Sequence, residues 1–495
     1  MVLTCPHSIA MSQTSMIIGM AATVLRFAVK PRWRLKVRPL DIALWTLFGW
    51  SVVSAAMSYE PAISFNRLRT VSLLFVFIFV TFNVRKLRAV WFLAFALIVS
   101  TMVNVVREPL WRIIGRGVEI HGLDAGGPLV KAGFSDGDTL LKVNGARLTD
   151  PAQIIGALET ADVVTIDMHR PDMYEPRYIR RADLLAGENP QDKLGFKEWH
   201  PSHYWRATGF YRHWITYSEA LQLIISLVFG LLFAAIIYRK KEPEPADGED
   251  GPGNEQGSAS VFVRVVTSKA FLIFCLGGMV IALLLTATRA SQLSFMISAF
   301  VIVAVSASRK FLIISVLVVL PIAILGLLLL QQSRQVGFID TKDESTLYRM
   351  TMWRDGARLW TQSPRNFIFG IGMDSKDAHW QEWQMYDGGR LPIGHFHSTY
   401  FQLAVERGLP ALLIWLTVLG IYARTIWRGL KKSRIADPRT RGVMLGSLGG
   451  MVGFMVSGFV HSNIIDAVVA LLFYLIMGLG VRAAEFASDD EHAAA

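Results

Sequence analysis

The stretch Lys269-Ala-Phe-Leu-Ile-Phe-Cys-Leu-Gly-Gly-Met-Val-Ile-Ala-Leu-Leu-Leu-Thr-Ala-Thr-Arg289-Ala-Ser-Gln-Leu-Ser-Phe-Met-Ile-Ser-Ala-Phe-Val-Ile-Val-Ala-Val-Ser-Ala-Ser-Arg309 holds a single internal charge, Arg289. It is about twice as long as one helix needs to cross a bilayer. The charge therefore marks a hairpin between two membrane helices. An arginine at the bilayer centre costs roughly 2.5–3.5 kcal/mol on insertion scales, so Arg289 is expected at an interface, where a phosphate partner would compensate its charge further. A helix-end arginine snorkelling to water is the plainer alternative.

Working outward, the rest of the chain has the same character. Of 495 residues, 52% are hydrophobic and 18% charged, which excludes a soluble domain of this length. The net charge is +11, but the basic residues cluster in short loops between apolar runs. That is the pattern that orients membrane helices, and no nucleic-acid partner is expected. Cys5 and Cys275 lack metal-ligand spacing, so neither a disulfide nor a metal site is expected.

Apolar runs of spanning length fall near residues 8–26, 40–58, 69–84, 88–106, 214–238, 270–288, 291–307, 311–331, 409–427, 442–460 and 464–482. The fold class is thus an all-α polytopic membrane protein with about eleven transmembrane helices. The first run reads as an anchor, since it is short and has no A-x-A-like cleavage site. The basic loops Lys30–Arg38, Arg85–Arg88, Arg239–Lys241, Arg309 with Lys310, and Arg424–Arg441 are expected to face the cytoplasm. Parity then puts the loops Arg107–His213 and Gln332–His397 in the periplasm of a bacterial inner-membrane protein, with the N-terminus outside and the C-terminus inside. Residues 1–106 form the first helical block, 107–175 a small insert, 176–213 a connector and 214–331 a second block. Within that second block 242–260 is a Pro- and Gly-rich linker. Residues 332–408 form a large loop, 409–482 the last helices and 483–495 a cytoplasmic tail.

The insert reads Gly115-Arg-Gly-Val-Glu-Ile-His-Gly-Leu-Asp124 and then Lys131-Ala-Gly-Phe-Ser-Asp-Gly-Asp-Thr-Leu-Leu-Lys-Val-Asn-Gly145. Gly133 and Gly137 fit tight turns, Leu140, Leu141 and Val143 a short strand, and Asn144-Gly145 a hairpin. Pro151–Leu158 fits a short helix and Val163–Met168 a closing strand. The segment resembles a bacterial PDZ domain, making a small, mainly β domain inserted in a loop. The resemblance implies a groove that takes a peptide as an added strand, with its carboxylate on backbone N–H groups of Gly115, Arg116, Gly117 and Val118. A periplasmic protein partner is the expectation; a folded spacer with a degenerate groove is the alternative.

After the Arg289 hairpin come Leu347-Tyr-Arg-Met-Thr-Met-Trp-Arg-Asp-Gly-Ala-Arg358, Phe369-Gly-Ile-Gly-Met373, and Gly394-His-Phe-His-Ser-Thr-Tyr-Phe-Gln-Leu-Ala-Val-Glu-Arg-Gly-Leu-Pro410. Ahead of the hairpin stands Arg206-Ala-Thr-Gly-Phe-Tyr-Arg-His-Trp-Ile-Thr-Tyr-Ser218. In this order the segments resemble the O-antigen ligase and polymerase superfamily. Ser398 stands where that family usually has Asn, which leaves the role of the residue at that position in doubt. The resemblance implies metal-independent transfer of a glycan from undecaprenyl diphosphate to a hydroxyl of a lipid-A core, a glycan or a protein, with no cofactor.

That chemistry needs cations for the leaving diphosphate and a base for the nucleophile. Arg206 and Arg289 present planar guanidinium forks to phosphate oxygens, and His397 is the expected base. His395 is the alternative base, and Arg354 a further donor- or acceptor-binding candidate. Arg349 and Arg358 fit surface ion pairs equally well, and His461 and Asn463 read as loop residues. The tryptophans between Trp353 and Trp383 either stack on sugars or anchor the loop at the membrane interface. Two other function classes stay open. One is a non-enzymatic scaffold or transport component of envelope polysaccharide assembly. The other, less supported, is an intramembrane protease, for which neither a His-Glu-x-x-His helix nor a Gly-x-Ser-x-Gly span is present.

Overall fold

Helix α1 (Ile9–Val29) begins a run of helices that accounts for most of the computed structural model. The model describes residues 1–29, 37–170, 173–203, 206–211, 213–238, 268–307, 313, 317, 344–432 and 437–494. The chain divides into two compact units, one of Met1–Met102, Phe210–Leu284 and Thr288–Ala495, the other of Val103–Gly209 with Leu285–Ala287.

The first unit continues with α2 (Pro39–Ala56), α3 (Pro61–Val71), α4 (Phe75–Asn83) and the start of α5 (Leu87–Ile114). It resumes with α6 (Trp214–Ile237), α7 (Lys269–Leu285), α8 (Arg289–Ser306), α9 (Glu344–Thr361), α10 (Thr399–Lys432), α11 (Pro438–Ser457) and α12 (Ala467–Ala494). Seven helical stretches among the described residues are long and apolar enough to span a bilayer: Pro39–Ala56, Pro61–Asn83, Leu87–Ile114, Trp214–Ile237, Arg289–Ser306, Thr399–Lys432 and Ala467–Ser488. Helix α7 is apolar but shorter. The expected span at 311–331 and the linker at 242–260 lie outside the described residues, apart from positions 313 and 317.

Helix α11 matches the expected span at 442–460 only loosely in character, because glycine dilutes its hydropathy. The physical reason is its position inside the bundle. Gly442, Gly446 and Gly450 recur every four residues on one face, the spacing that lets two helix backbones meet. A Cβ at Gly446 would sit 2.5 Å from the Leu227 Cα, and one at Gly230 would sit 2.3 Å from the Gly446 nitrogen. Ser298 Oγ of α8 donates to the Gly449 carbonyl at 2.6 Å, and Gln222 of α6 reaches Ser298 at 3.1 Å. Helices α6, α8 and α11 thus form a close-packed trio held by small residues and buried amide and hydroxyl bonds.

The direction of each helix follows from such contacts. At one end of the bundle Tyr238 donates to the Ser306 carbonyl at 3.2 Å, and the Arg441 guanidinium lies 4.2 Å over the Tyr238 ring while bonding the Leu430 carbonyl. Arg38 and Glu485 pair at 2.7 Å, joining the start of α2 to the far part of α12. At the opposite end Ser218 meets Ser291 at 2.9 Å. Trp50 Nε1 bonds the Arg407 carbonyl at 2.8 Å, and Ser58 meets Ser375 at 2.8 Å.

The second unit is a six-stranded antiparallel sheet of β1 (Arg116–His121), β2 (Thr139–Val143), β3 (Ala146–Arg147), β4 (Val163–Arg170), β5 (Met173–Arg180) and β6 (Glu198–Ser202), in the order β5-β4-β2-β1-β6 with β3 on β2. Val118, Ile120, Leu140, Ile154, Val164 and Ile166 are fully buried in its core, the last two alternating along β4 as a half-buried strand requires. Asn144 and Gly145 both take positive φ, 49° and 80°, which is the tight turn their sequence demands between β2 and β3. The short helix Ala152–Thr160 packs Ile154 and Leu158 onto the sheet. Strand β5 runs past residue 175 and β6 lies wholly beyond it, so the sheet draws on the segment assigned above to a connector.

Candidate functional site

The segment 392–408 is the scaffold of the site, and its neighbours fix it residue by residue. Tyr348 donates to the Pro392 carbonyl at 3.0 Å, Tyr386 to the Gly394 carbonyl at 2.9 Å, and Trp353 Nε1 to the Phe396 carbonyl at 2.7 Å. Phe396 is fully buried, and its N–H donates to Gln402 Oε1 at 3.0 Å. These anchors hold His397 at φ 49°, a left-handed conformation that a non-glycine residue adopts only when its surroundings over-determine it. Trp353 and Tyr348 therefore serve the loop by hydrogen bonding.

The two expected imidazoles come together. His395 and His397 have ring centroids 4.0 Å apart, and Tyr348 meets His397 edge-on at 5.3 Å. The His397 N–H donates to His395 Nδ1 at 3.1 Å, so a neutral His395 carries its proton on Nε2. A third imidazole joins them from the turn between α11 and α12. Thr399 bonds the His461 carbonyl through its N–H at 3.0 Å, and its hydroxyl bonds Asn463 Oδ1 at 2.6 Å. Asn463 in turn donates to the Phe454 carbonyl and to Ser457, which makes it a brace between α10 and α11. His461 is 5% exposed, with Nε2 buried and unbonded among the described residues.

The charges around these rings are positive. Burial first, then the charges of His395, Arg349 and His461, push the His397 pKa down to about 2. Burial, with Arg349, His395 and His213, lowers His461 to about 3. Burial, Lys376 and His213 lower His395 to about 4, against a smaller opposing effect of Asp374. All three imidazoles are neutral at pH 7. Lys376, itself buried, bonds Asp374 at 3.0 Å and Asp377 at 3.1 Å, and its pKa is raised because Glu406 and these two carboxylates outweigh its burial.

The Gly-x-Gly turn and the Glu-x-Gly segment are one interlocked unit. Ile371 N–H bonds the Val405 carbonyl at 2.9 Å and Gly372 N–H the Glu406 carbonyl at 3.0 Å. Gly370 and Gly408 have φ of 76° and 79°; a Cβ on Gly370 would lie 2.3 Å from the Glu406 carbonyl carbon, and one on Gly408 1.8 Å from the Ile368 oxygen. This back-to-back packing positions Glu406, whose Oε1 accepts from the Asp374 N–H at 3.2 Å.

Arg289 starts α8, directly after the turn Thr286–Thr288 in which Ala287 has φ 54°. The bond between Ser291 and Ser218 puts it at the same bundle end as His213, the residue that caps α6 through Ile215 N–H at 3.2 Å. Arg206 belongs to the other compact unit, where the next residue, Ala207, donates its N–H to the Leu285 carbonyl at 2.9 Å. Arg354 points elsewhere than Arg349, because five residues along a helix turn about 140°. Its side chain is 70% exposed beside Asp355 and lines a cleft of about 550 Å³ with Arg358, Gln384 and Arg390.

In the β unit, Arg116, Gly117 and Val118 are part of strand β1 itself. The Arg116 guanidinium lies 5.8 Å from the Trp111 ring, Gly115 and Gly117 have φ of 81° and 69°, and Val118 pairs with Leu140. Strand β1 is paired on both edges, by β2 and by β6.

The residues that sequence reasoning undervalued are Arg349, Lys376, His461 and the buried Glu219, one turn into α6. Arg349 lies in the Leu347–Arg358 segment but fitted a surface ion pair equally well, and the other three sit in segments without a motif of their own. Of those three only Glu219 carried a signal, as the lone acid in an apolar run.

Helices this long and apolar, meeting on glycine faces, define a multi-pass membrane protein. Residues 271–416 match the family model described as O-antigen ligase, a match that supports the O-antigen ligase/polymerase superfamily for that stretch of the chain. The matched stretch holds Arg289, Arg349, Lys376, His395 and His397. No curated protein matches the chain. The family supports a membrane glycosyl-transfer role in polysaccharide assembly.

Proposed function

We propose that the protein transfers a glycan from undecaprenyl diphosphate to an acceptor hydroxyl at the periplasmic face of the inner membrane, as an O-antigen ligase or a polysaccharide polymerase. The observation that carries this reading is the cluster of Arg349, His395, His397 and His461 at the bundle end that also holds Arg289, within the family segment. An arrangement of cations and neutral imidazoles suits an anionic donor and a hydroxyl nucleophile.

In this reading the acceptor oxygen attacks the anomeric carbon as the carbon–oxygen bond to the diphosphate breaks, and the leaving group takes the bonding pair. The hydroxyl proton passes to His397. One displacement inverts the anomeric configuration. Arg289 and Arg349 stabilise charge that grows on the diphosphate, an effect strengthened at a low-dielectric interface. Metal is not required. His397 is held neutral but weakly basic, first by its burial and then by the positive charge beside it. A bound diphosphate offsets the Arg349 charge and so raises the basicity of the imidazole. The cleft lined by Arg354, Arg358 and Arg390 with Asp355 and Asp387 is open to solvent and suits a polar acceptor glycan.

The test is release of undecaprenyl diphosphate from a purified lipid-linked donor by the reconstituted protein. His397→Ala and Arg289→Ala are expected to lower turnover by about 10²–10³-fold while folding normally. Unchanged turnover in both variants would take the chemistry away from these two residues, and absence of turnover in the parent would leave the scaffold reading in its place.

A further inference from the structure

The β unit carries a group of side chains that glycosyl transfer does not use. On β1, Glu119 and His121 are two residues apart and project from the same face of the sheet. On the neighbouring strand β6, His200 is the direct partner of Glu119 and Glu198 the direct partner of His121, so these side chains share that face as well. One ligand atom each from Glu119, His121 and His200 lie within 4.8 Å of one another.

We infer that Glu119, His121 and His200 form a binding site for a divalent transition metal, with zinc the best match. Three features point to a ligand. First, Glu119 is largely buried, with Oε2 unbonded among the described residues, although its Oε1 meets His121 Nε2 at 3.2 Å. A buried carboxylate oxygen without a donor is strongly disfavoured unless something positive satisfies it. Second, the two imidazoles lie face to face at 5.0 Å between centroids and 28° between planes, which brings two nitrogen donors to one place. Third, the surroundings are anionic: Asp136 Oδ2 is 3.5 Å from His121 Nδ1, with Glu198 alongside.

Two imidazole nitrogens and a carboxylate oxygen form a donor set that suits zinc and disfavours calcium or magnesium, which take all-oxygen shells. Tetrahedral zinc holds ligands at about 2.0–2.2 Å, which separates the donor atoms by about 3.5 Å. Side-chain rotation closes the remaining gap. Asp136 or water supplies the fourth position; Asp136 also accepts from the Gly122 N–H and so orients its carboxylate toward the site.

The placement gives the metal a task. Strand β1 follows α5 directly and β6 precedes the return to α6, so the ion would clip together the two strands through which the chain enters and leaves the β unit. It would also hold β6 on the edge of β1 where a peptide could otherwise add as a strand.

The experiment uses the full-length protein in detergent, purified without a polyhistidine tag and stripped with chelator. Titration with Zn²⁺ by calorimetry should show one equivalent bound, and Co²⁺ should give the visible bands of a low-coordinate nitrogen–oxygen site. Glu119→Gln, His121→Ala and His200→Ala should each weaken binding at least about 10-fold. Hydrogen exchange of residues 198–202 should slow when Zn²⁺ is added to the parent. Absence of a bound equivalent in the parent, or binding undiminished in the triple variant, overturns the site. The parent measurements decide the matter even if a variant misfolds.

Discussion

The three imidazoles behave alike for one reason: each is buried among cations, so its charged form is penalised twice. Their folded pKa values lie near 2, 4 and 3 for His397, His395 and His461, below the unfolded value near 6.5. Between those limits the unfolded chain binds protons that the folded chain does not, so stability is present above about pH 6.5 and is lost as pH falls. Each histidine is expected to subtract on the order of 1 kcal/mol at about pH 5.5. Thermal unfolding in detergent should show this decline, and His461→Gln should reduce it by roughly a third if the three act independently. A second consequence concerns catalysis. Because kcat/KM reports groups of the free enzyme, it should show no acid limb from His397 down to about pH 5, whereas kcat should fall on the acid side once the diphosphate has raised that imidazole. An acid limb near pH 6.5 in kcat/KM would sink the view that burial holds His397 neutral. The pair His395 and His397 was legible because both sit in one motif. Arg349 and His461 were not, because their part comes from tertiary contacts that no spacing encodes.

Glycine placement governs the elements. The Gly370–Gly372 turn and the Gly408 kink were readable as motif glycines, but that they lock onto each other was not; their separation of nearly forty residues closes only in three dimensions. Gly408→Ala would force a Cβ into the Ile368 carbonyl at φ 79°. It should lower stability by at least about 1 kcal/mol and impair transfer by displacing Glu406 and the 395–402 segment. Gly420→Ala, in the same helix with nothing within 4 Å of its Cβ position, should instead stabilise slightly, by about 0.5–1 kcal/mol. Melting temperatures of the two variants make the comparison directly, and equal effects would show that the kink is not a constraint. The same reasoning explains α11: its glycines pack it into the centre of the bundle, which is why hydropathy alone understates it.

At the scale of the whole molecule, hydropathy revealed the helical class and a β insert, because burial periodicity is written locally. It did not reveal which helices neighbour one another, since lipid-facing and helix-facing residues are equally apolar. Contacts supply that information, and with it a test of sidedness. Helix α6 runs from the end holding His213 to the end where Tyr238 meets Ser306, and α8 runs the same way from Arg289. Tyr238, just after the last residue of α6, therefore lies at the end of the bundle away from the imidazoles, whereas Ser375 bonds Ser58 at the imidazole end. The basic loops predict that the far end faces the cytoplasm. An alkaline phosphatase domain fused after residue 375 should be active, since the enzyme matures only in the oxidising periplasm, and one fused after residue 250 should be inactive. Opposite activities would place His397 and Arg289 in the cytoplasm, away from any donor presented on the periplasmic leaflet, and the glycosyl-transfer assignment at this site would fail with the topology.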